Sequence, residues 1–105
     1  MESLEQELSH ALRELARRGV TPSLMLREII RRVGEDRADR QFLVRLVSAA
    51  FQFQEGEGYV VFGWLPDGSG HLTDTQLDYQ LSKRIRSARQ QWDISRNDDA
   101  NKVVS

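Results

Sequence analysis

Apolar residues recur at three- and four-residue spacing through four stretches of this chain, and a run of another character interrupts them before the last. Leu77, Leu81, Ile85, Ala88 and Trp92 show the rhythm most cleanly, stepping by four, four, three and four. Side chains so spaced share one face of an α-helix, so this stretch reads as an amphipathic helix with a single apolar seam. A helix of this kind is stable in water only when the seam is covered. The chain must therefore fold by bringing such faces together.

Three earlier stretches obey the same rule. Leu4, Leu8, Leu12 and Leu15 predict a first helix over 3–18, stopped by Gly19, since glycine takes the left-handed backbone shape at little cost. Thr21-Pro22 reads as an N-cap followed by a first-turn proline. Leu26, Ile29, Ile30 and Val33 form the stripe of a second helix that ends at Gly34, with Leu24 and Met25 widening it. A third helix is expected from the region of Asp36 to Asp39 as far as Phe51 or Phe53, with Phe42, Leu43, Leu46, Val47 and Ala50 on its apolar face. The last helix starts at Thr73 or Asp74, where Thr73 and Gln76 have the spacing of a capping box.

The interruption is Tyr59-Val60-Val61-Phe62-Gly63-Trp64-Leu65, rich in β-branched and aromatic residues and preceded by Gly56 and Gly58. Composition favours a strand here. Gln52 and Gln54 alternate with Phe51 and Phe53, so a hairpin across 55–58 is a second option, with the third helix then ending at Ala50. Pro66-Asp67-Gly68-Ser69-Gly70 is a turn. The expected fold is α+β: a small helical domain of about four helices with a short β-hairpin or strand between the third and fourth. The alternative is all-α, with 59–65 extended and unpaired. Residues 1–94 are read as a single compact domain and 95–105 as a polar, flexible tail.

At 105 residues there is room for one domain, with a core limited by a high ratio of surface to volume. Fifteen basic residues against 16 acidic leave a net charge of -1, which supplies no global pull toward nucleic acid or anionic lipid. The absence of cysteine excludes disulfides, thiol catalysis and thiolate metal ligation together. No apolar run approaches the roughly 20 residues that span a bilayer, and acidic residues at Glu2, Glu5 and Glu7 oppose an export signal. A cytoplasmic location with no membrane partner is expected.

No catalytic set emerges from the spacing. Asp67, Ser69, Thr73 and Asp78 sit at positions one, three, seven and twelve of a calcium loop, but Leu72 stands where that loop turns on glycine and Asp78 where it requires glutamate. His71 follows the turn with no second ligand at metal spacing, and Ser69 lacks the strand–nucleophile–helix context of a hydrolase. Gly56 to Gly58 and Gly68 to Gly70 carry no phosphate-loop lysine. No catalytic, cofactor-binding or metal-binding residues are assigned, and no cofactor is expected.

What remains is recognition. From 51 to 79 the charges are all acidic, whereas 83–89 carries only positive charge. Opposed charge of this kind orients partners more than it adds affinity. The expected role is a protein–protein interaction or regulatory module without catalysis. Its partner-binding residues are read as Tyr59, Trp64, Asp67, His71, Lys83, Arg84, Arg86 and Arg89. A strand with open edges also invites homodimerisation. The second reading is nucleic-acid binding through the basic faces of the second helix (Arg27, Arg31, Arg32) and the last. A helix-turn-helix version of it meets an obstacle in the third helix, whose large apolar residues suit a core.

Overall fold

The computed structural model describes residues 3–54 and 56–93. The tail expected to be flexible, 95–105, lies outside them. α1 spans Leu4–Arg17, α2 Pro22–Val33, α3 Arg40–Ala50, α4 Asp74–Ser87 and a short α5 Arg89–Trp92. α1 packs against both α2 and α3, and α2 packs against α4. The described residues are mostly helical with almost no strand, which supports the all-α alternative over the α+β expectation, although 59–65 is not extended as that alternative had it.

The helix ends show which sequence signals acted and how. Ser3 and Gln6 close a capping box on α1, Ser3 Oγ accepting from the Gln6 N–H at 3.2 Å and Gln6 Oε1 from the Ser3 N–H at 3.0 Å. Gly19 and Gly34 sit at φ +81° and +89°, each just past its helix. Thr21 occupies the N-cap position of α2, yet its side chain caps nothing. Asp78 on α4 does that work: its carboxylate accepts from the Ser23 N–H at 2.7 Å and from Ser23 Oγ at 3.1 Å. An acid from another helix thus satisfies a free N–H at the positive end of α2 and pins α2 to α4.

α3 starts one residue after Asp39, which accepts from the Phe42 N–H at 2.8 Å. It stops at Ala50 because Gln52 takes φ +56°, and Phe53 N–H then bonds back to the Ser48 carbonyl at 3.0 Å. That six-to-one bond marks a Schellman ending. Residues 51–54 therefore neither extend the helix nor form a strand.

The largest correction lies at 59–65. Glu57–Gly63 is a 3-10 helix, packed against α3 and α4, and no hairpin forms among the described residues. Three residues per turn place every third side chain on the same side. Gly58, Val61 and Trp64 accordingly face inward and are buried, whereas Tyr59 and Phe62 face outward. The run looked non-alternating because its period is three rather than two. Gly58 has no side chain where one would strike the Ser48 hydroxyl on α3, which lets the segment lie close. Strand propensity is a preference for a half-buried pleated surface and yields to such tertiary packing. A lone bridge between Trp64 and Leu72 is all the β pairing among the described residues.

Thr73 and Gln76 form the capping box expected of α4. The helix breaks at Ala88, and the apolar seam ends on Trp92 in α5. Trp92 donates from Nε1 to the Ile85 carbonyl at 2.7 Å and meets Phe51 edge-on at 5.2 Å. Arg17 and Arg89 flank its ring. One apolar cluster joins the helices, running from Leu8 and Leu12 through Ile29, Leu46 and Val61 to Leu77, Leu81 and Trp92. Leu4, first in the α1 seam, lies outside it and is exposed.

One carboxylate ties the ends of this framework. Asp93 receives Arg17 at 2.8 Å and Arg89 at 3.4 Å, joining α5 to α1. Burial pushes the Asp93 carboxyl up, but the Arg17 hydrogen bond and charge, with Arg89 behind them, outweigh it and leave the group below 3.8. A carboxyl with a depressed folded value stabilises fully above its unfolded value and loses that contribution as pH falls through the folded one. The difference in urea midpoint between wild type and Asp93→Asn is therefore expected to be widest at about pH 7 and to close in strong acid. A constant gap across that range would show that Asp93 stabilises by shape and not by charge.

Candidate protein-docking surface

The outward side of the 3-10 helix carries the most suggestive chemistry. Tyr59 is 58% exposed and Phe62 38%, with their rings 5.7 Å apart. A turn of three holds them side by side. With Gln41, Val44 and Arg45 of α3 they line a groove of about 380 Å³. Arg40, one turn earlier on α3, donates to the Phe62 carbonyl at 2.8 Å and fixes the segment against the helix. Arg45 has no carboxylate partner among the described residues, so its charge is available to a ligand. Aromatic surface beside an exposed cation is the composition in which binding energy concentrates once water is excluded.

A second groove, of about 350 Å³, runs along the other flank between Glu57 and α4, lined by Tyr79, Gln80, Lys83, Arg84 and Ser87. Tyr79 is the most exposed of the large hydrophobic side chains described. A third opening, of about 530 Å³, lies where α2 gives way to α3. Its floor is apolar, with Ile30, Leu43 and Leu65, and Glu35, Asp39, Arg40 and Asp67 stand around it.

The residues proposed from sequence divide among these places. Tyr59 is on the open surface. Trp64 is not: at 1% exposure it is among the largest fully buried side chains, and its Nε1 donates to Asp74 at 2.8 Å. Its assignment to a partner surface is corrected, because the turn of three that exposes Tyr59 turns Trp64 inward. Asp67 is exposed but organises its own turn, accepting from the Ser69 N–H and Oγ at 2.9 and 2.7 Å. Those bonds, the hydroxyl's first, hold its carboxyl below 3.8. His71 is exposed beyond that turn, and no group of three or more potential metal-ligating side chains occurs among the described residues.

Lys83 and Arg84 reach the α4 groove and Arg86 is exposed, whereas Arg89 is engaged by Asp93 and the Trp92 ring. The α2 basic group is also internally matched. Arg27 pairs with Asp74 at 3.0 Å, and both Arg31 and Arg32 pair with Glu28. Hydrogen bonds from Arg31 and then Arg32 bring the Glu28 carboxyl down to about 2.

The partner-binding residues read from the sequence did not include Phe62, Gln41, Arg45 or Tyr79. The first was legible in principle, since a period of three pairs it with Tyr59. The others depend on which helix faces the 3-10 segment covers. Comparison with protein-family models, with curated proteins and with solved structures finds no match to this chain.

Proposed function

We propose that the chain is a docking module that binds another protein reversibly through the face carrying Tyr59 and Phe62, without performing catalysis. The observation that carries this reading is the contact between those two exposed rings beside the guanidinium of Arg45, which has no carboxylate partner among the described residues. The aromatic groups anchor, the cation orients, and the 3-10 helix presents both without a loop to be ordered on binding. A photo-reactive phenylalanine at position 59, expressed in the native cell, is expected to capture one defined protein species, and Arg45→Glu is expected to abolish the capture. The same substitution at Glu5, on the exposed start of α1, is expected to capture none of it. Identical yields from positions 59 and 5 would overturn the reading. Once that complex is in hand, Tyr59→Ala is expected to weaken it by about 2 kcal/mol, the range of an interfacial anchor.

A nucleic-acid reading retains one observation: Lys83, Arg84 and Arg86 lie close together on α4 with no carboxylate partner among the described residues. Binding to mixed duplex and single strands that falls steeply with added salt would favour it. Pairing of Arg27 with Asp74, and of both Arg31 and Arg32 with Glu28, weakens the second basic face on which it relied.

A further inference from the structure

The contact between Arg40 and the Phe62 carbonyl forms a ridge with opposite charge on its two sides. On one flank lies the apolar cleft bordered by Glu35, Asp39 and Asp67, which Arg40 also lines. On the other lies the aromatic groove of Phe62 and Tyr59 with Arg45. Successive α3 residues divide between them, Arg40 and Leu43 facing the cleft, Gln41, Val44 and Arg45 the groove. Two neighbouring patches of opposite sign are complementary to themselves under a two-fold rotation, because the rotation exchanges the flanks. A head-to-tail contact would match one flank and leave the other open; the two-fold contact matches both and closes.

We infer that the occupant of this face is a second copy of the chain, related by a two-fold axis at the Arg40–Phe62 ridge, with Arg45 of each copy set against the acidic cleft of the other. This rests on the docking reading above and names its partner. Tyr59 and Phe62 would be covered near the axis, where exclusion of water gives aromatic burial its largest effect. Among the three acids, Asp39 caps α3 and Asp67 organises its turn. Glu35 has no hydrogen-bond or ion-pair partner among the described residues and is the natural counterpart of Arg45.

Sedimentation of the full 105-residue chain across a concentration series tests the inference. Wild type is expected to dimerise, with dissociation strengthened by salt. Arg45→Glu and Glu35→Arg, both exposed and remote from the core, are each expected to weaken the dimer by roughly tenfold or more, since each sets like charges against one another. Mixed in equal amounts, the two variants are expected to regain affinity as a heterodimer, because both crossed pairs then have opposite signs again. A monomeric wild type at millimolar concentration would overturn the inference, as would a dimer indifferent to both reversals or a mixture without rescue. The position-59 capture separates the two levels. A different protein captured by a monomeric chain leaves the docking reading standing and removes only the second copy; no capture and no dimer removes both.

Discussion

Trp64→Ala is expected to destabilise the protein by about 3–5 kcal/mol, the range for emptying a tryptophan site in a packed interior. Trp64 is fully buried and ends the inward row of the 3-10 helix. Its loss removes packing where α2, α3 and the 64–67 loop converge, and it also unmakes a polar latch. Trp64 Nε1 donates to Asp74 Oδ1 at 2.8 Å, Arg27 pairs with the same carboxylate, and the Arg27 guanidinium lies 5.3 Å from the Trp64 ring centre. Arg27 donates further to the Pro66 carbonyl at 3.1 Å, so one cation gathers the loop, the α4 start and the indole. Hydrogen bonds from Arg27 and then Trp64 hold the Asp74 carboxyl below 3.8. Urea unfolding followed by far-ultraviolet circular dichroism measures the effect. Trp64→Phe keeps most of the volume and loses the indole donor, so it is expected to retain the larger part of the stability. Equal losses in the two variants would show that the hydrogen bond, not packing, dominates the site.

Gly70→Ala is expected to be the most damaging of the turn substitutions. A β-carbon there would lie 2.6 Å from the Gly63 carbonyl oxygen and 2.8 Å from the Leu65 nitrogen. Both neighbours are backbone, so no side-chain rotation relieves the clash, and the chain must separate where Leu72 N–H bonds the Gly63 carbonyl at 2.7 Å. The expected cost is at or above the ~1–3 kcal/mol typical of an overfilled interior. Gly68→Ala is the informative contrast. Gly68 sits at φ +85° with nothing within 4 Å of an added β-carbon, so its cost is backbone strain alone, about 1 kcal/mol. Thermal denaturation of the two variants ranks them, and an order with Gly68→Ala worse would refute the close-approach account. Because Gly63 closes the 3-10 helix, Gly70→Ala is also expected to loosen Tyr59 and Phe62 and weaken docking, whereas Gly68→Ala is not.

The two glycines illustrate where sequence reading stops. The turn signal at 66–70 is legible from residue types, but glycine is chosen for a left-handed angle at Gly68 and for empty space at Gly70. Nothing local distinguishes those reasons. Tryptophan presents the same difficulty. Trp64 and Tyr59 belong to one aromatic run, and only the turn of three separates a core residue from a surface one. Arg89 and Arg86 likewise share a basic stretch, yet of these two only Arg89 pairs with Asp93.

The four principal helices, the box at Thr73 and Gln76, the stops at Gly19 and Gly34 and the buried seam of Leu77, Leu81 and Ile85 were written in the chain. These features depend on interactions within a turn or two, where spacing along the chain is distance in space. The coiling of 57–63 into a 3-10 helix, the capping of α2 by Asp78, the burial of Trp64 and the pairing of Arg27 with Asp74 were decided by the tertiary structure. Each joins residues far apart in the chain or depends on which surface covers a segment, and local spacing encodes neither.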